Sequence, residues 1–107
     1  MVATLVNVAF AQADYRESLS GSRVKNEMPA LIASSGSVEN IATPTTAKST
    51  VATANANDVA RILPIGGDVY ALAGASPVAS AGDWLVIAGT TLVLAVAASD
   101  KISVIDR

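Results

Sequence analysis

From Asp58 onward, short apolar runs alternate with clusters of Gly, Asp and Ser at the spacing of antiparallel strands. Residues 59–65 and 68–73 flank Gly66 and Gly67, which accept the positive φ values of a tight turn, so a hairpin is predicted. In that register Leu63 faces Tyr70, Pro64 faces Val69 and Ile65 faces Asp68. The N–H that Pro64 lacks then points away from its partner, which puts this strand at a sheet edge near Pro64. Residues 84–88 and 92–98 flank Gly89 and Thr90, a pair suited to a type II′ turn. Ser99 and Asp100 return the chain into residues 101–106, completing a three-stranded meander.

The middle strand of that meander has no polar alternation. Leu92, Leu94 and Val96 point one way and Val93, Ala95 and Ala97 the other, so both faces are expected to be covered. The bulky face, with Leu85, Ile87, Leu92, Leu94 and Ile105, is assigned to the core. The small-residue face, with Val93, Ala95, Ala97 and Val104, either packs on a second sheet or forms a subunit contact.

The first half is less regular. Residues 1–13 carry no charge, and Val2, Leu5, Val6, Val8 and Phe10 mark them as an extended arm or an edge strand. Asp14 and Glu17 have capping-box spacing, which predicts a short helix through Leu19, ended by Gly21. Val24, Met28 and Leu31 share helical spacing, yet Pro29 would break that helix. Residues 43–57 are dominated by Thr and Ala, and their β-branched positions favour strand or loop.

With 107 residues, of which 51% are apolar, the chain is read as one domain with a core of its own. The expected fold is all-β, a small antiparallel β-sandwich or barrel with a less regular N-terminal part. Uncharged stretches at 1–13 and 84–99 are too short, or too interrupted by Gly89, Thr90 and Thr91, to cross a bilayer as a helix, so no membrane partner is expected. The run ending in Ala9-Phe10-Ala11-Gln12-Ala13 imitates a secretion signal but lacks a positive n-region, so it is kept as part of the domain.

Candidate chemistry narrows quickly. The chain has no His and no Cys, which excludes imidazole acid/base catalysis, thiol nucleophiles, disulfides and zinc sites built on either residue. Asp68, Asp83 and Asp100 fall where turns are predicted and are assigned to backbone hydrogen bonding. Asn55-Ala56-Asn57-Asp58 supplies oxygen ligands, but it lacks the alternating acids and the Gly of an EF-hand loop, so it is read as a turn. A serine nucleophile could draw only on Lys48 or Lys101 as its base, and Ser22 with Lys25 is the sole S-x-x-K spacing, without the companion motifs of those enzymes. No glycine-rich loop leads into Lys-Ser or Lys-Thr. Arg16, Arg23 and Lys25 are interleaved with Asp14, Glu17 and Glu27, and the net charge is −2, so no nucleic-acid partner is expected. No enzyme, metal site or cofactor is predicted.

One resemblance emerges from the second half. Val59-Ala60-Arg61-Ile62, then Gly67-Asp68-Val69-Tyr70-Ala71-Leu72-Ala73-Gly74-Ala75-Ser76-Pro77-Val78-Ala79, then Ile87-Ala88-Gly89-Thr90 and Asp100-Lys101-Ile102-Ser103-Val104-Ile105 resemble small virion proteins of tailed bacteriophages. Those carry a VYxAxGxxPxA strand and loop, an IPAGT strand and a terminal GDKIAVI strand. Ile87-Ala88-Gly89 stands where the second motif has its Pro, and Ser99 replaces the Gly of the third. The resemblance covers residues 58–106 and brings no catalytic residue with it. It implies a virion structural protein, made in the bacterial host cytoplasm and decorating or cementing the capsid surface as a homo-oligomer on the major capsid protein or another virion protein. The alternative is a receptor- or carbohydrate-binding module of a spike or tail, for which Trp84, Tyr70 and Tyr15 are the available aromatics.

Overall fold

A computed structural model describes residues 5–19, 25–31, 36–42 and 44–107. Among them there is no helix, and nine strands form two antiparallel sheets packed as a small β-sandwich. The strands are β1 (Leu5–Leu19), β2 (Lys25–Leu31), β3 (Ser37–Ala42), β4 (Lys48–Ser49), β5 (Asp58–Ile65), β6 (Val69–Gly74), β7 (Trp84–Val86), β8 (Leu92–Ala95) and β9 (Lys101–Asp106). The larger sheet runs β2-β1-β5-β8, with β3 also on β1; the smaller runs β4-β9-β6-β7.

The longest strand organises the larger sheet. From Leu5 to Phe10, β1 lies between β3 and β5, and strict alternation sends Val6, Val8 and Phe10 inward to full burial. Pairing with β3 ends at Phe10 opposite Ser37, and pairing with β5 ends at Gln12 opposite Asp58. From Ala13 to Leu19 the strand has β2 as its partner, with Ala13 opposite Leu31 and Leu19 opposite Lys25. The result is a two-stranded ribbon extending about 20 Å past the sandwich, within a molecule whose extents are 49 × 29 × 23 Å. Gly36 leads into β3 where a Cβ would collide with the Phe10 carbonyl, so close backbone approach requires glycine there.

The arm-or-edge expectation is thereby corrected. Leu5, Val6, Val8 and Phe10 belong to a central strand, because three of them supply apolar surface that the sandwich cannot leave in water; Val2 lies outside the described residues. Residues around Asp14 and Glu17, and 25–31 with Pro29, are strand rather than helix: β2 is an outer strand, where a proline is tolerated.

Between the sheets, Val6, Val8, Phe10, Ile41, Ala60 and Ile62 meet Val69, Ala71, Val86, Ile102 and Val104, and Leu92 and Leu94 close one margin. Burial of each Val or Ile contributes about 1.5–3 kcal/mol. The inner positions of β5 show the responsible alternation, Asp58, Ala60, Ile62 and Pro64 all being buried.

Both predicted hairpins prove to be crossings between sheets. β5 has β1 and β8 as neighbours while β6 has β9 and β7, so the link through Gly66 and Gly67 carries the chain to the opposite layer. Likewise β7 and β9 lie in the smaller sheet and β8 in the larger, so residues 84–106 are no meander. Gly89, at φ 79°, is the third residue of a turn closed by the Thr90 N–H donating to the Ile87 carbonyl at 3.0 Å, not the first central residue of a hairpin turn. Near Pro64 the edge expectation holds in a local form. β8 pairs no further than Ile62, and the Pro64 carbonyl accepts the Gly89 N–H at 2.9 Å on that same side, so the missing N–H costs no ladder bond.

Two hydroxyls tie loops to the smaller sheet. Thr50 donates its N–H to Ile102 O at 2.8 Å while its Oγ1 accepts the Ile102 N–H at 3.2 Å, extending the β4–β9 ladder beyond Ser49. Ser103 Oγ accepts the Ala79 N–H at 2.9 Å, which holds the loop of residues 75–83 over the outer side of that sheet and buries Pro77 and Ala79.

Candidate interaction surfaces

The side chains predicted for a sheet or subunit contact divide between two places. Val104 is fully buried inside the sandwich, whereas Val93 (56% exposed) and Ala95 point out of β8 and Ala97 lies exposed in the turn before β9. The predicted core face divides too. Leu92 and Leu94 turn inward, but Leu85, Ile87 and Ile105 lie on or beside the outer side of the smaller sheet, where Leu85 and Ile105 both stand opposite Tyr70. The error follows from the crossings, since changing sheets between β7, β8 and β9 reverses which parity of residue faces inward.

Exposed and half-buried apolar side chains share the outer face of the larger sheet. One row across its strands reads Val38, Ala9, Arg61 and Val93 by register. Val59, Leu63 and Ile65 continue it along β5, and Ala95 along β8. A polar rail crosses it: Arg61 NH2 donates to Asn7 Oδ1 at 2.9 Å, and Asn7 Nδ2 donates to Asn40 Oδ1 at 2.9 Å. At the base of the ribbon, Ala9, Ala11, Leu31, Gly36, Val38 and Arg61 line part of a depression of about 240 Å³. Of these residues Val93 and Ala95 carry the sequence-based expectation of a sheet or subunit contact, whereas Gly36, Val38 and Asn40 carry none. A lone Arg at an outward position in the apolar run of residues 59–65 was the signal available.

The carboxylates serve the backbone. Asp58 Oδ2 accepts the Asn55 N–H at 2.8 Å, and Asn57 takes φ 65°, so this segment is a turn. Asp83 Oδ2 accepts from Ser80 N–H at 2.7 Å and Asp100 Oδ2 from Ala97 N–H at 2.9 Å. Among the described residues no three or more His, Cys, Asp or Glu side chains gather to hold a metal. Lys48 Nζ donates to the Ala42 carbonyl at 2.9 Å, Lys101 begins β9, and Ser22 lies outside the described residues.

Asp68 ties three segments together. Its Oδ1 accepts the Ala88 N–H at 2.8 Å, its Oδ2 pairs with Arg107 at 3.2 Å, and its carbonyl accepts the Arg107 N–H at 3.1 Å. The Ala88 N–H, aided by the Arg107 guanidinium and opposed by desolvation, holds the Asp68 carboxyl below the ordinary 3.8. A depressed carboxyl contributes stability above its unfolded value and loses it as pH falls through the folded one. Urea titrations should therefore show a stability advantage over Asp68→Asn at pH 7 that fades below about pH 4. An advantage independent of pH would contradict this.

Fold and surfaces together define a small antiparallel β-sandwich that exposes apolar side chains, Val38, Ile65 and Val93 among them, on the outer face of its larger sheet. No protein-family model, curated protein or solved structure matches the chain.

Proposed function

We propose that this chain is a non-enzymatic structural protein of a bacteriophage virion, which decorates or stabilises the capsid by binding the lattice of the major capsid protein as a homo-oligomer. The observation that carries the reading is the set of exposed apolar side chains on the outer face of the larger sheet. Val38 and Val93 are 68% and 56% exposed there, and leaving such a patch in water is disfavoured unless a partner covers it. The ribbon adds support. A two-stranded hairpin is marginal alone in water, and open edges along β1 and β2 suit addition to a neighbouring chain. The phage-like motifs at 58–106 supply the virion context, with the capsid surface as the site of action.

The test is sedimentation of purified protein with empty capsids of its phage. Saturable attachment is expected, and Ala95→Glu should weaken it at least tenfold with an unchanged melting temperature, because Ala95 is already exposed. Attachment that is absent, or indifferent to a carboxylate at Ala95, would refute the reading.

A specific observation favours the second reading. Trp84 is 59% exposed and lines a depression of about 390 Å³ with Gly82 and Asp83, an arrangement in which an indole can stack on a sugar ring. Glycan binding that disappears in Trp84→Ala would select the receptor- or carbohydrate-binding module.

A further inference from the structure

Arg61 is the one charged group among the described side chains on the outer face of the larger sheet. It is half-buried, with Ala9 and Val93 opposite it on the flanking strands. Its guanidinium donates to Asn7, and its Nε is buried with no hydrogen-bond partner. Among the described residues no carboxylate pairs with it: Glu39 is engaged with the Val51 and Ala52 N–H groups and Asp58 with that of Asn55. A cation withdrawn from water without a counter-ion is costly, and the cost falls when an anion arrives in the same apolar setting.

We infer that this face recognises a protein segment presenting an Asp or Glu carboxylate between small apolar side chains, the carboxylate docking on Arg61. The inference rests on the reading of the chain as an attachment protein and adds the face and the chemistry of the contact. The rail from Arg61 through Asn7 to Asn40 spans three strands and presets the guanidinium, so the remaining donors of its fork are held for a carboxylate. Apolar flanks of the segment would rest on Val38 and Val93 and in the depression beside Leu31. Charge complementarity selects this occupant over two others. Two copies meeting through the same face would bring their Arg61 side chains together with no described carboxylate between them. A nucleic-acid backbone would need a track of cations, where this face offers one.

The experiment titrates the ¹⁵N-labelled full chain with the peptide acetyl-Thr-Val-Thr-Glu-Thr-Val-Thr-amide and with its Gln twin, following the Arg61 Nε–H and the Val38 and Val93 amides by NMR. The Glu peptide is expected to shift all three signals and to bind at least tenfold more tightly than the Gln peptide. In Arg61→Met the two peptides should bind equally. Equal binding to the unmutated protein, no binding of either peptide at millimolar concentration, or a Glu preference that survives in Arg61→Met would each overturn the inference. The first two outcomes need no variant to fold. Capsid attachment retained by Arg61→Met would overturn this inference and leave the virion reading standing. Glu-selective binding without capsid attachment would do the reverse.

Discussion

Phe10→Ala is expected to destabilise the protein by about 3–5 kcal/mol, a large part of the roughly 5–15 kcal/mol by which a domain of this kind is stable. Phe10 is 2% exposed inside the sandwich, the last residue of the stretch of β1 that has strands on both sides before the ribbon begins. Truncation leaves a cavity beside Ser37 and Ala60, the residues opposite Phe10 on the two flanking strands, and both are too small to fill it. Equilibrium urea unfolding should show a lower midpoint with an unchanged slope. The same physics predicts that deletion of residues 5–10 prevents folding. A folded deletion variant would mean that this stretch is a dispensable arm after all, and a loss below 1 kcal/mol for Phe10→Ala would show that the core can repack around the gap.

Glu39→Ala is expected to cost about 1–2 kcal/mol, because it strips a charge-assisted acceptor from the partly buried Ala52 N–H and from the Val51 N–H, which water can reach. Glu39 stands on β3 of the larger sheet, and its carboxylate accepts the Val51 N–H at 2.9 Å and the Ala52 N–H at 3.1 Å in the loop that follows β4 of the smaller one. One side chain therefore staples the two layers at the end where Thr50 continues the β9 ladder. Hydrogen exchange gives a readout that stability alone does not. The Val51 and Ala52 amides should lose protection in Glu39→Ala well before the β5 amides do. Uniform loss of protection along the chain would instead mean that Glu39 acts on the whole fold at once.

The strands of the second half were legible because their punctuation is local. Gly66 and Gly67, Gly89, and Ser99 with Asp100 sit where the chain does change direction, and Ser99 takes φ 71°. What could not be read was whether each turn returns the chain to its own sheet or carries it to the other. Gly66, at φ 90°, fits either outcome, because a turn residue reports its own dihedral angles and not the destination of the next strand. Misassignment of Leu85, Ile87 and Ile105 to the core followed directly, since inside and outside alternate residue by residue and a change of sheet resets the parity, whereas Val104 does pack against the second sheet. The candidate surface was hidden for a related reason. Arg61 and Asn7 lie 54 residues apart and meet only because β1 pairs with β5.

By itself, then, the amino-acid order determined an all-β chain with apolar alternation sufficient for a sandwich core, turns at glycines and short polar residues, and neither imidazole nor thiol chemistry. Propensity and period suffice for that much, because they act over a few residues. Tertiary structure alone decided that residues 5–10 form a central strand and that β8 is an edge strand with Val93 and Ala95 left outside. It also decided that Arg61 has an apolar face around it and no carboxylate partner among the described residues. Those outcomes depend on which strands compete successfully for which edges, a choice settled by burial summed over both sheets and not by any segment's own preference.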